Sequence, residues 1–356
     1  MKKIDLYLLT SILFLTFFGL FMIYDASSYV AFRDFADKYH FVKEQFFWIV
    51  LGIFSLGIFS RFDYHRFYNL SIPILISAIA LLFLVFIPGI GVKVLGASRW
   101  INLHVTVLQP SEYVKLALAI YLAAWFSNKE KGRLVAFLSL LSVVLLLVIL
   151  EPDMGTAVII LVEGLALYFL SGANLIYFGL LLPVIGFIGL LFAKLEPYRA
   201  ARLTSFFNAD QNLNTSSYHV RQILIALGSG GLTGVGLGNS LQKYAFLPEN
   251  STDSIFAIIA EELGLIGASL IICVFLIIIW RGFYIAINAK DSFGKLLAGG
   301  IITFLAAQVL LNLASQTALL PLTGIPLPFI SYGGSALIID LSSIGILLNI
   351  SKQRKI

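Results

Sequence analysis

Ionisable side chains are scarce in this sequence, and the few that interrupt its apolar runs are the places where chemistry could be done. Glu112 and Lys115 follow Gln109-Pro110-Ser111 at the head of such a run. Three residues apart, they share one face of a helix, and Pro110 suits the first helical position. They read either as a neutralising ion pair or as part of a site. Glu151 and Asp153 lie between two runs, in Glu151-Pro152-Asp153-Met154-Gly155-Thr156. Asp153 is a candidate helix cap or a site residue. Asp253 opens a further run, where a helix dipole stabilises a carboxylate, so a cap and a working carboxylate are both open. Glu261 and Glu262 follow two turns later. Adjacent residues point to different faces, so at least one must meet a polar partner or a cavity. Arg99-Trp100, Arg199 and Arg202 add cations: arginine forks match phosphate oxygens, and Trp suits a membrane interface. Arg33, Lys38 and Lys43 read as a solvated loop face. Acids and arginines at one interface suit an anionic, phosphate-bearing amphiphile. The physics leaves an enzyme, a lipid transporter and a binding scaffold open.

The elements that position these residues are membrane spans. The 356 residues are 59% hydrophobic and 12% charged, with a mean hydropathy of +0.95. A soluble chain carries about 25% charged residues. The apolar residues come in long unbroken runs, and in lipid the backbone must satisfy its own hydrogen bonds, so the runs are expected to be helices. Ten spans are expected, at about 6–24, 44–60, 69–90, 110–127, 134–150, 156–171, 174–193, 254–280, 296–316 and 332–350. The expected fold is an all-α polytopic membrane domain over 1–356. Met1-Lys2-Lys3 and the run after it mimic a signal peptide, but the run is long and more spans follow, so it reads as a retained first helix.

With the N-terminus inside, thirteen Lys and Arg residues fall in cytoplasmic segments and five in short outer loops. That places both termini inside and the acids outside, and it accounts for most of the +5 net charge. The single Cys273 lies in an apolar run, excludes a disulfide within the chain and reads as a buried, inert thiol. The four histidines show no metal-ligand spacing.

The 194–253 connection is an extracytoplasmic loop far longer than the others, and loops of that length are functional or disordered. Its apolar stretches, Ile223–Leu227 and Tyr244–Leu247, argue for burial. Its glycines, from Gly228 to Gly238, permit positive φ and close backbone approach. They fit either a string of turns or a backbone moulded around a ligand.

Several of these residues stand in motifs resembling the SEDS family, the shape, elongation, division and sporulation proteins. They are Gly96-Ala97-Ser98-Arg99-Trp100-Ile101; Gln109-Pro110-Ser111-Glu112-x-x-Lys115; Glu151-Pro152-Asp153-Met154-Gly155-Thr156-Ala157; and Gly236-Leu237-Gly238-x-Ser240-x-Gln242-Lys243. Further along come Leu247-Pro248-Glu249-x-x-Thr252-Asp253-x-Ile255-Phe256-Ala257, Glu261-Glu262-Leu263-Gly264, and the stretch from Leu320 to Ser335 with Pro321, Pro326, Pro328 and Ser331-Tyr332-Gly333-Gly334. The resemblance spans about 96–335 in order.

It implies ten spans and a peptidoglycan glycosyltransferase that polymerises lipid II, with a class B penicillin-binding protein as transpeptidase partner. The short ends look more like the family's elongation member than its division member. The family's essential aspartate falls on Asp253, and Glu112 and Lys115 match a pair that the family needs. Arg99, Trp100, Asp153, Arg199, Arg202, Lys243 and Ser331 join that pair as the implied substrate-binding residues. Departures are Glu151, where Gln is frequent, His219 after Tyr218, and Asp340 inside the last span, to which no partner is assigned.

The implied reaction transfers a growing glycan from undecaprenyl pyrophosphate to the 4-hydroxyl of a lipid II sugar. A sugar hydroxyl is a weak nucleophile, so a carboxylate, Asp253, is expected to take its proton. Attack opposite the leaving group inverts the anomeric centre, as in inverting glycosidases. Arg99, Arg199, Arg202, Lys115 or a divalent cation (Mg or Mn) would steady the pyrophosphate. The rival is a lipid II flippase; alternating access often uses repeated halves, and no repeat is visible. A third class is a scaffold that only activates the transpeptidase.

Overall fold

The computed structural model describes residues 4–94, 97–102, 107–128, 134–174 and 215–353, and within 176–186 all but 182 and 185. Ten helices are defined in it: α1 (Leu6–Phe35), α2 (His40–Arg61), α3 (Arg66–Leu84), α4 (Pro110–Ser127), α5 (Leu134–Leu150), α6 (Met154–Leu170), α7 (Thr215–Gly230), α8 (Ile255–Ile287), α9 (Ser292–Gln316) and α10 (Gly334–Gln353). Six of them are long and apolar enough to cross a membrane, α5 and α6 are shorter apolar helices, and α4 matches the expected fourth span. The chain is helical again at 176–181, where the seventh span was expected. Large apolar side chains such as Phe14, Phe17 and Phe21 of α1 face outwards, as a bundle in lipid requires.

Local signals set the helix ends. Asp5 accepts from the Leu8 amide, 3.1 Å, and Asp291 from the Gly294 amide, 2.6 Å. Each satisfies an amide that a helix start leaves without a partner. Helix α9 is the core element: 78% of its apolar window is buried, against 22% for α2. It packs on α4, α6 and α8, while α2 packs on α10 and α3 on α4.

Three features depart from expectation. First, helix α1 runs on past residue 24 to Phe35, although polar Asp25, Ser27, Ser28 and Arg33 end its hydropathy signal. Second, α3 stops at Leu84, and the connection to α4 folds into a small antiparallel sheet of β1 (Gly91–Val94), β2 (Ala97–Asn102) and β3 (Val107–Leu108). The register pairs Gly91 with Ile101 and Ile101 with Leu108. Third, Cys273 is exposed on α8 rather than buried. From Leu265 to Trp280, around Cys273, helix α8 has no charged side chain on any side, so hydropathy alone does not tell its packed face from its lipid face.

Within the 194–253 loop, Thr215–Gly230 forms α7, which packs on α8. Past α7 the glycine-rich stretch zips onto α8. The amides of Val235 and Gly236 bond the carbonyls of Glu261 and Glu262, 3.0 Å each. The amides of Leu265 and Ile266 bond back to Gly231 and Leu232. Helix α8 breaks its own ladder at Gly264, φ 67°, to permit this. A Cβ at Gly264 would stand 2.3 Å from the Gly234 nitrogen, and one at Gly234 2.0 Å from the Glu262 carbonyl oxygen. These two glycines therefore serve backbone-to-backbone packing.

Candidate active site

Asp253 lies in the turn that leads into α8, half-buried. Three consecutive carbonyls of this turn are held by the chain segment around the end of α9 and the start of α10. The Tyr332 amide donates to the Ser251 carbonyl at 2.9 Å, the Ser331 hydroxyl to that of Thr252 at 2.6 Å, and the Asn312 side-chain amide to that of Asp253 at 3.0 Å. Ser331 is itself fixed, accepting from the Leu327 amide at 2.8 Å. Next in sequence, the Ser254 hydroxyl meets the His219 ring of α7 at 2.7 Å. A cavity of about 470 Å³ opens beside the turn, lined by Ser251, Thr252, Glu249, Arg33, Phe41 and Tyr332 among others. Arg33 is the cation among its lining residues. The same side chain pairs with Asp34 at 2.6 Å and is exposed.

The Glu112–Lys115 pair stands in the first turns of α4, fully buried, 2.8 Å apart. Lys115 also donates to Gln308 of α9 at 2.6 Å. Asp340 of α10 and Glu163 of α6 lie within electrostatic reach of the same ammonium. Asp340, without an assigned partner in the sequence, thus belongs to the Lys115 centre. Both carboxylate oxygens of Glu163 and one of Asp340 lack a hydrogen-bond partner among the described residues. Carboxyl groups outnumber the cation here.

Most of the other expected substrate-binding side chains hold the protein together. Asp153 caps α6, accepting from the Thr156 amide at 3.1 Å and its hydroxyl at 2.8 Å, and from Gln109 and Ser111 of the α4 approach. Arg99 of β2 donates to the carbonyls of Glu151, 3.2 Å, and Pro152, so it clamps the α5–α6 turn rather than standing free for phosphate. Trp100, next to it on β2, is half-buried. Lys243 is buried against Asp25 of α1, 2.9 Å, and Glu262 of α8, 3.1 Å. Glu262 also accepts from the amides of Gly238 and Ser240, and Glu261 from the Leu241 amide and Ser240 hydroxyl. Both adjacent acids therefore have polar partners, in the glycine-rich stretch. Glu151 is buried, and neither of its oxygens has a hydrogen-bond partner among the described residues. Burial, with the charge of Asp153, pushes its carboxyl up to about 9. Arg199 and Arg202 lie outside the described residues.

Among the described residues no group of three or more His, Cys, Asp or Glu side chains is placed to hold a metal ion.

Sequence reasoning passed over Gln308, Asn312 and Glu163. Gln308 and Asn312 are two amides one turn apart in an apolar span, a pattern that can bond between membrane helices. Glu163 is an acid at membrane depth.

The whole chain has relatives. A family model described as cell cycle protein, covering FtsW, RodA and SpoVE, matches residues 5–356. Over 359 residues the chain is 38% identical to stage V sporulation protein E of Bacillus subtilis, covering 99% of this chain and 98% of that protein. Over 366 residues it is 40% identical to a probable peptidoglycan glycosyltransferase FtsW of Geobacter sulfurreducens, covering 99% and 96%. A chain solved within a peptidoglycan synthase complex shares the fold, with a TM-score of 0.80 at 23% identity over 99% of this chain and 98% of that one. These two relatives carry sporulation and division names, so the elongation member is not singled out. Matched from residue 5 to residue 356, the chain belongs to the FtsW/RodA/SpoVE, or SEDS, family of multi-pass membrane proteins of the bacterial cytoplasmic membrane.

Proposed function

We propose that the chain is a peptidoglycan glycosyltransferase that polymerises lipid II at the outer face of the membrane, with Asp253 as general base. The observation that carries the reading is the immobilised Ser251–Asp253 turn at the rim of a cavity. Its three clamped carbonyls fix the main chain that carries the Asp253 side chain. In the proposed step the 4-hydroxyl of a lipid II sugar attacks the anomeric carbon of the growing strand. The bond from that carbon to pyrophosphate breaks, the configuration inverts, and the hydroxyl proton passes to the Asp253 carboxylate. Preorganisation of this kind keeps the base within reach of the hydroxyl without reordering at each turnover. Stabilisation of the leaving pyrophosphate falls to Arg33 of the cavity lining and to Arg199 and Arg202.

A class B penicillin-binding protein is the proposed partner, supplying transpeptidation. The solved chain of like fold comes from a synthase complex described as coordinating polymerisation and crosslinking. Purified wild-type and Asp253→Asn proteins, each with this partner and lipid II, test the base. Long glycan strands are expected from the wild type alone, and near-equal rates would remove Asp253 from the role. Measuring lipid II flipping in the same proteoliposomes separates a polymerase from a transporter. Polymerisation with and without EDTA tests whether a divalent cation takes part. The elongation role expected from the sequence is a finer proposal: depletion should then give rounded cells, whereas a division role would give filaments.

A further inference from the structure

We propose that Asn312 is a positioning residue for Asp253, and that with Gln308 it ties the Asp253 turn to the Lys115 centre; this rests on the reading of Asp253 as the base. The Asn312 side-chain nitrogen sits between two main-chain oxygens, donating to the carbonyls of Asp253, 3.0 Å, and Ile325, 2.7 Å. Two acceptors at one nitrogen fix which way the amide faces, because its oxygen there would meet two carbonyls. Asn312 is almost fully buried, so water does not replace these bonds when they are lost. One turn earlier on the same face, Gln308 donates to the Pro326 carbonyl, 3.1 Å, while its oxygen accepts from Lys115.

The segment Ile325-Pro326 is therefore held by two amides of α9, and the Asp253 turn by one of them. From that segment the chain runs to Ser331 and Tyr332, which hold the other two carbonyls of the turn. Asn312 thus acts on Asp253 from α9 directly, and on its two preceding residues through the 325–332 loop. A base displaced by about an ångström loses up to ~100-fold in rate without losing substrate affinity.

The test is a double-mutant cycle on the full-length protein with its transpeptidase partner, using fluorescent lipid II and normalising to folded protein. Asn312→Leu removes both hydrogen bonds at nearly constant size. Expected is a kcat lower by about 10- to 100-fold with KM for lipid II within about two-fold. In an Asp253→Asn background, Asn312→Leu is expected to cost nothing further, because a positioning residue has no effect once its object is gone. A multiplicative loss in that background would show that Asn312 acts independently and overturn the proposal. So would a near wild-type kcat for Asn312→Leu beside an inactive Asp253→Asn, which leaves the base reading standing. An active Asp253→Asn instead overturns the base reading, and this inference with it. If Asn312→Leu does not fold, Asn312→Asp, which keeps the shape and loses at least one of the two bonds, takes its place in the cycle with the same outcomes.

Discussion

At the end of the bundle that gathers both termini, carboxylates are matched by donors. Asp5 holds Arg281 at the far end of α8 and caps its own helix. Asp291 receives Tyr64 and His65, and Asp63 receives His65 and Gln353. In the half of the bundle that carries Asp253, Asp153, Glu261 and Glu262 are matched as well, but around Lys115 the balance is different. Lys115 is the shared cation for Glu112, Glu163 and Asp340, and oxygens of the last two have no hydrogen-bond partner among the described residues. Glu151 nearby has none either. Neither arrangement is forced by the need to close a bundle, since the first shows that this chain can pair its acids when pairing is all that is required. A buried excess of acid costs stability, and such costs persist where a site needs them. The terminal end is thus built for holding, while the Asp253 half keeps buried carboxyl groups without donors among the described residues.

The largest expected effect falls on the lysine that carries the imbalance. Lys115→Met leaves Glu112 and its neighbours buried without a cation, a change worth about 3–5 kcal/mol. The melting midpoint of the purified protein should drop steeply, with little folded material recovered. A variant that melts like the wild type would mean that the acids are not held by Lys115, and the contrast between the two regions would collapse. Arg281→Met is expected to cost less, about 1–3 kcal/mol. It strips Asp5 of its cation, yet the Leu8 amide stays with that carboxylate. Equal losses in the two variants would erase the distinction.

Glu163→Gln sharpens the same point with the opposite sign. Glu163 contributes a buried carboxyl group that no donor meets among the described residues. Its amide isostere should leave the melting midpoint unchanged or raise it by the equivalent of ~1 kcal/mol. A drop of several degrees would reveal a partner for Glu163 and remove the excess on which the comparison stands.

How far these features could be read from sequence follows from what each leaves in a residue string. The bounds of α4 and α5 agree with the expected spans because Pro110 and unbroken apolar runs mark them. Asp253, Glu112 and Lys115 stood out as charges at helix starts. The extension of α1 to Phe35 was hidden because Asp25, which breaks its hydropathy, is neutralised by Lys243 more than two hundred residues away. Gln308 and Asn312 were hidden for the converse reason: an uncharged amide in an apolar span leaves hardly any dip in hydropathy, and its value comes from carbonyls on another segment. Lys243 and Arg99 were visible as cations, but only the fold shows that the first is taken up by carboxylates and the second by carbonyls. Their spacing is the same whether they meet a substrate or the protein itself.

The smallest expected effect belongs to the terminal end and tests whether its pairing is only structural. His65 bridges Asp63, 2.7 Å, and Asp291, 2.9 Å, between the α2–α3 turn and the start of α9. Burial acts to lower its pKa, but hydrogen bonds and charges from the two carboxylates outweigh it, so His65 titrates above its ordinary 6.5. A raised pKa in the folded state means that the protonated ring stabilises the fold. That contribution is complete below pH 6.5 and is lost as pH rises through the raised value. The side chain is 47% exposed, so solvent screens the bridge and the contribution stays below about 1 kcal/mol. The wild-type melting midpoint should therefore fall by no more than about 2 °C across this window, and His65→Asn should flatten that fall. Polymerisation rates at fixed pH should be the same in both proteins. A loss of rate without a change in melting would show that the terminal end also shapes the chemistry, because the bridge joins α9 at Asp291, the start of the helix whose far half holds the Asp253 turn.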